Sequence, residues 1–211
     1  MRPNALAAAL SPRKSPLQAR SAATVETILE AATRVIAKES LSGFNTNRVA
    51  EVAGVSVGSL YQYFPNKTAL VIALIQQDHF QLAARLMRCV DQYIEKTFDV
   101  ALDALIDVAL AHQFASPILA AALDHEERRL PLDDVLQQAQ SELVQSIQHL
   151  LDAHADHIDP VSPKDAAYDC LVLVRALVDA SQGSDDVALV KRRVQRAVSG
   201  YLGHAGSKRV R

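Results

Sequence analysis

The chain has 211 residues, with 22 Lys/Arg against 24 Asp/Glu and a formal net charge of −2, long enough to bury one large core or two small ones. Only seven glycines occur, and no β-branched runs alternate with hairpin turns, which excludes a sandwich or barrel and favours an all-α chain rich in residues that lose little freedom in helices. The two cysteines, Cys89 and Cys170, lie far apart in apolar sequence, which excludes a disulfide framework and reads as buried, inert thiols in a cytoplasmic protein.

Charge is unevenly placed. Residues 1–67 carry eight Lys/Arg against four Asp/Glu, and residues 68–211 carry fourteen against twenty. A basic first third on an acidic body puts any polyanion contact at the N-terminal end. Residues 1–20 hold three prolines, four basic residues and no acidic ones, and are expected to form a disordered basic tail without a secretory h-region. No stretch approaches the ~18 uninterrupted apolar residues of a membrane span.

Helix 1 is expected from about Ala22 to Glu39, with Ile28, Leu29, Ala32, Val35 and Ile36 on one face. After the break LSGFNTN, a short helix runs from Asn47 to Ala53 with Thr46 as its cap. Gly54 ends it, Ser56 caps a second short helix over Val57–Tyr63, and Phe64-Pro65-Asn66 stops that one. A long helix follows from Lys67 towards Ile94. Five more are predicted: about Val100–Phe114; one opened by Ser116-Pro117; one from Pro131 to about His157; one from Ser162-Pro163 to Gly183; and one from Ser184-Asp185-Asp186 to about 203.

Residues 45–64 therefore read as two short helices joined by a tight turn, a helix-turn-helix whose second helix can enter a DNA major groove. On spacing alone, an ordinary helical hairpin explains the segment equally well. Two features favour DNA. Phe44, Tyr61, Tyr63 and Phe64 are four of only ten Phe and Tyr residues, and tyrosines beside Ser59 and Gln62 suit a surface that meets phosphates and base edges. Lys67 opens a helix, where the macrodipole disfavours a cation unless an anion binds nearby.

The runs ILEAA and NRVAEVAGVSVGSLYQYFPNK closely resemble the DNA-binding domain of the TetR family over roughly residues 22–82. The resemblance implies an N-terminal three-helix helix-turn-helix domain at 21–82, and a helical effector-binding and dimerisation domain at 83–211 dimerising through its last two helices. Thr46, Ser59, Tyr63 and Lys67 correspond to phosphate contacts, while Val57, Gly58, Tyr61 and Gln62 correspond to the base-reading face, with Ser56 at its start. Position 57 is often basic in that family, and valine here removes a charged contact. The implied function is a transcriptional repressor that binds a palindromic operator as a homodimer and is released by a small organic effector.

Candidate effector-pocket residues are Cys89, Tyr93, His112 and Phe114, drawn from the stretches between the long helix and the helix ending near His157. The segment AAYDCLVLVRALVDA is apolar around most of its circumference, so a partner subunit is expected to cover part of it. Candidate dimer residues are Cys170, Val174, Val178, Val190, Val194 and Tyr201. Asp99, Asp103 and Asp107 form one stripe and read as a solvated face, not a metal site; His149, His154 and His157 read as a polar helix terminus. No nucleophile elbow, P-loop or dinucleotide fingerprint is present, so no enzyme, cofactor or metal is expected. An activator of the same fold would need the same groove contacts. The other competing reading, a helical interaction module, would bury Gln62, Tyr63 and Lys67.

Overall fold

The computed structural model describes residues 19–130, 132–158, 162–181 and 186–203. Its regular elements are helical: α1 (Ala19–Gly43), α2 (Thr46–Ala53), α3 (Val57–Tyr63), α4 (Lys67–Tyr93), α5 (Phe98–Phe114), α6 (Pro117–Arg129), α7 (Asp133–Ala153), a 3-10 turn (Ala155–His157), α8 (Pro163–Asp179) and α9 (Val187–Tyr201). No strand occurs among the described residues. The chain is all-α. Of the basic tail expected at 1–20, Ala19 and Arg20 instead open α1; its remainder, the opener Pro131, the helix boundaries at Gly183 and Ser184-Asp185, and the C-terminal GSKRVR lie outside the described residues.

Packing divides the chain into two compact units: residues up to Asp78 with Ser116–Leu136, and His79–Ala115 with the residues from Gln137 on. In the first, α1 supplies the apolar face read from the sequence, with Ile28, Leu29, Ala32, Val35 and Ile36 all buried. That face meets Phe44, Val49, Leu60 and Phe64 of the short helices and their flanks, Leu70 and Ile75 of α4, and Ala122 and Leu123 of α6. Residues 116–136 lie downstream of the boundary read at 82 and pack in this unit because α6 lies against α1.

The second unit holds two apolar clusters. One gathers Leu86, Cys89, Val90, Leu105, Leu143 and Leu150. The other gathers Phe98, Leu110, Leu151, Cys170, Val178, Val190 and Val194, with α9 packed on α5 and α8. Polar staples reinforce it: Lys191 Nζ lies 3.0 Å from Asp103 Oδ2 and 2.6 Å from Asp107 Oδ1. Asp103 and Asp107 of the acidic stripe thus tether α9 while the stripe keeps a solvated face, with Asp99 and Asp107 exposed. At the polar terminus of α7, His149 and His157 are exposed while His154 is buried, with its ring centroid 5.5 Å from that of Phe98.

Candidate nucleic-acid interface

Local chemistry builds the helix-turn-helix. Asn45, with extended backbone, caps α2: its Oδ1 accepts the Arg48 N–H at 2.9 Å and its Nδ2 donates to the Gly43 carbonyl at 3.1 Å. The cap falls one residue before the expected Thr46, in a run of Asn-Thr-Asn where three neighbours have the right chemistry. Gly54 ends α2 in the left-handed region (φ 68°, ψ 27°). Its N–H donates to the Glu51 carbonyl and that of Val55 to Ala50, a helix ending that glycine adopts without strain. Ser56 then caps α3, its Oγ accepting the Ser59 N–H at 3.0 Å and lying 2.8 Å from Ser59 Oγ.

Within α3 only Leu60 is buried; with Phe64 after it, it anchors the helix in the first core. The other side is open. Val57 (38%) and Tyr61 (42%) are exposed although apolar or aromatic, and Gly58 and Gln62 are exposed beside them. Ser59 and Tyr63 are half-buried, Tyr63 packing on the core. Lys67, at the start of α4, is exposed, with its Nζ 5.3 Å from the centroid of the Phe44 ring, a cation–π distance that holds the ammonium near this face. The start of α4 is capped from within: Asn66 Oδ1 accepts the Ala69 N–H at 2.8 Å.

Three side-chain contacts went unseen in the sequence. Arg48 donates Nε to Glu39 at 2.8 Å and pairs through Nη1 with Glu51 at 2.8 Å. These bonds, Glu51 first and then Glu39, raise its pKa above the usual arginine value and tie α2 to α1. Thr46, buried, has its Oγ1 3.0 Å from the phenol oxygen of Tyr61. The Arg48–Glu51 pair has helical i, i+3 spacing and was readable in principle; the other two contacts cross between elements and left no periodic signal.

The remaining candidates fall in the second unit. Cys89 and Tyr93 pack in one cluster, Phe114 in the other, and His112 is half-buried. Burial, with Asp107 second, pushes the Cys89 thiol up. Cys170, Val178, Val190 and Val194 lie in the chain's own core, on which Val174 and Tyr201 pack half-buried. The Tyr201 hydroxyl donates to the Asp169 carboxylate, which with burial pushes the phenol up to about 12. Outward on α8 stand Tyr168 (55%) and Val172 (47%), followed by exposed Ala176; Val187 and Leu189 are exposed on α9. Among the described residues, no three of His, Cys, Asp and Glu converge as metal ligands, and no single helix is long and apolar enough to cross a membrane.

Two family profiles match the chain: one described as bacterial regulatory proteins of the tetR family, over residues 28–74, and one described as the tetracyclin repressor-like C-terminal domain, over residues 97–202. No curated protein matches it. Solved structures share its fold. A TetR-family transcriptional regulator from Mesorhizobium loti is 17% identical with a TM-score of 0.68, covering 88% of this chain and 98% of its own. A TetR regulator from Rhodococcus sp. RHA1 is 21% identical with a TM-score of 0.65, covering 89% and 100%. SmeT, described as the repressor of the Stenotrophomonas maltophilia multidrug efflux pump SmeDEF, is 19% identical with a TM-score of 0.62, covering 85% and 88%. The helix-turn-helix geometry, with both profiles spanning the two halves of the sequence, identifies the chain as a member of the TetR family of DNA-binding transcriptional regulators.

Proposed function

We propose that the protein is a cytoplasmic repressor that binds a near-palindromic operator as a homodimer and releases it on binding a small organic effector, acting by binding and not by catalysis. Gly58 carries the DNA-reading part. Gly58 is the second residue of α3, where glycine is still disfavoured relative to alanine, by at most the roughly 0.5–1 kcal/mol of a helix interior. Nothing among the described residues requires it here: an added Cβ would meet only Ser56 Oγ, at 3.8 Å. A bare backbone on the exposed face of α3 makes sense where a base edge approaches closely. Around it, Val57 suits a thymine methyl group, Gln62 suits the paired donor and acceptor of adenine, Tyr61 stands on the same base-reading face, and Ser59, Tyr63 and Lys67 suit phosphates.

The outward stripe Tyr168, Val172 and Ala176, spaced by four along α8, supports a two-fold interface. Exposed Asp165 on α8 and exposed Arg192 and Arg196 on α9 offer opposite charges across it. The description of SmeT as a repressor supports repression. Selection of bound DNA from a random pool should return a near-palindrome with half-sites separated by about one or more helical turns. With that site placed over a promoter, expression of the protein should lower transcription, and a screen of organic compounds should restore it. Raised transcription would make the protein an activator; absence of any selected sequence would overturn the proposal.

A further inference from the structure

We propose that Thr46 is a positioning residue for Tyr61: its hydroxyl fixes the phenol on the DNA-facing side of α3, leaving the Tyr61 proton free to bond DNA. This rests on the DNA-reading assignment of α3 and goes beyond it, because Thr46 then acts through Tyr61 instead of touching a phosphate itself. Thr46 opens α2 and is buried; Tyr61 projects from α3 and is 42% exposed. Their oxygens lie 3.0 Å apart across fifteen residues. A buried hydroxyl without a partner is costly, and the α2 cap bond that Thr46 might have made is made by Asn45. Tyr61 is the partner the structure supplies.

The bond has a directional consequence. A hydroxyl donates one proton and accepts through two lone pairs. With Thr46 donating, the phenol oxygen accepts inward and its own proton points outward. The outward proton meets an acceptor, which on DNA is a phosphate oxygen or a base-edge N7, O6 or O4. An exposed tyrosine would otherwise sample several rotamers and lose that freedom on binding. The inward bond imposes the order beforehand, in the free protein.

Thr46→Val, near-isosteric and apolar at a buried site, removes the hydroxyl; Thr46→Ser keeps it. In the free protein, side-chain NMR should show one χ1 rotamer for Tyr61 in the wild type and in Thr46→Ser, and averaging in Thr46→Val. A single rotamer in Thr46→Val overturns the proposal whatever the protein binds. Against the operator selected by the wild type, Thr46→Val and Tyr61→Phe should each weaken binding about fivefold per subunit, the usual scale of one net hydrogen bond. The double variant should be no weaker than the worse single one, and Thr46→Ser should restore affinity. Additive losses would assign Thr46 a DNA contact of its own and refute positioning. A wild-type protein that selects no DNA removes the DNA-reading assignment, while the NMR result still decides the Thr46–Tyr61 link. A Tyr61→Phe loss equal on all sequences identifies a phosphate oxygen as the acceptor; a loss confined to one base pair identifies a base edge.

Discussion

Replacing Gly58 by alanine separates the demands of the fold from those of the ligand. Within the chain the new methyl group has room, since its nearest neighbour is Ser56 Oγ at 3.8 Å. At the second position of α3 alanine is favoured over glycine by at most the roughly 1 kcal/mol of a helix interior, so the variant should be at least as stable, with a melting temperature raised by no more than roughly 2–4 °C for a chain of this size. On DNA the sign reverses. If a base edge lies against the bare backbone, the methyl overpacks that contact at a cost of about 1–3 kcal/mol, and affinity for the selected operator falls roughly five- to 150-fold. Gly54→Ala is the control. Its Cβ also meets nothing within 4 Å, but the φ of +68° strains any side chain, so it should destabilise the fold. Differential scanning calorimetry and fluorescence anisotropy on the same preparations read both quantities. A Gly58→Ala protein that is at least as stable and binds DNA as tightly as the wild type would refute the close approach at this helix.

Three further outcomes are expected. Ser40 holds φ 58° and ψ −177° where α1 departs from helical geometry; Ser40→Gly should relieve more strain than glycine costs in the unfolded chain and stabilise by about 1 kcal/mol in urea unfolding, whereas Ser40→Ala should not. Val172→Asp should give folded monomers of half the mass by light scattering, because Val172 is exposed; Val194→Asp should unfold the chain, because Val194 is fully buried. Tyr201 keeps its proton to about 12 in the folded state against an ordinary value of 10, so its contribution is intact below pH 10 and lost as pH rises towards 12. Unfolding curves across that window should fall less steeply for Tyr201→Phe.

Punctuation explains where the sequence reading succeeded. α3 runs from Val57 to Tyr63 as read, because Ser56 and Phe64-Pro65 mark both ends with side-chain chemistry that acts locally. The α2 cap slipped by one residue because Asn45, Thr46 and Asn47 are interchangeable as caps on paper, and only the packing of Thr46 against Tyr61 decides between them. The apolar circumference of α8 was legible but not its division. One side, with Cys170 and Val178, serves the chain's own core, while Tyr168 and Val172 face out. Helical periodicity cannot say which apolar side meets which neighbour. Nor does a stripe such as Asp103 and Asp107 announce that Lys191, more than eighty residues on, will bind it. Links between elements depend on crossing geometry, which local patterns do not encode.

The salt dependence of operator binding by Lys67→Ala and Gln62→Ala tests the central claim, that the exposed face at α3 and the start of α4 reads DNA. Each phosphate neutralised releases counterions and contributes about 0.9 to the log–log salt slope. Lys67→Ala should therefore weaken binding to all sequences alike and flatten the slope by about 2 for two subunits. Gln62→Ala should leave the slope unchanged and cost roughly 1–3 kcal/mol at one base pair only, relaxing preference there. Unchanged affinity and slope in both variants would contradict the account, because the two exposed side chains assigned to phosphate and base would then touch neither.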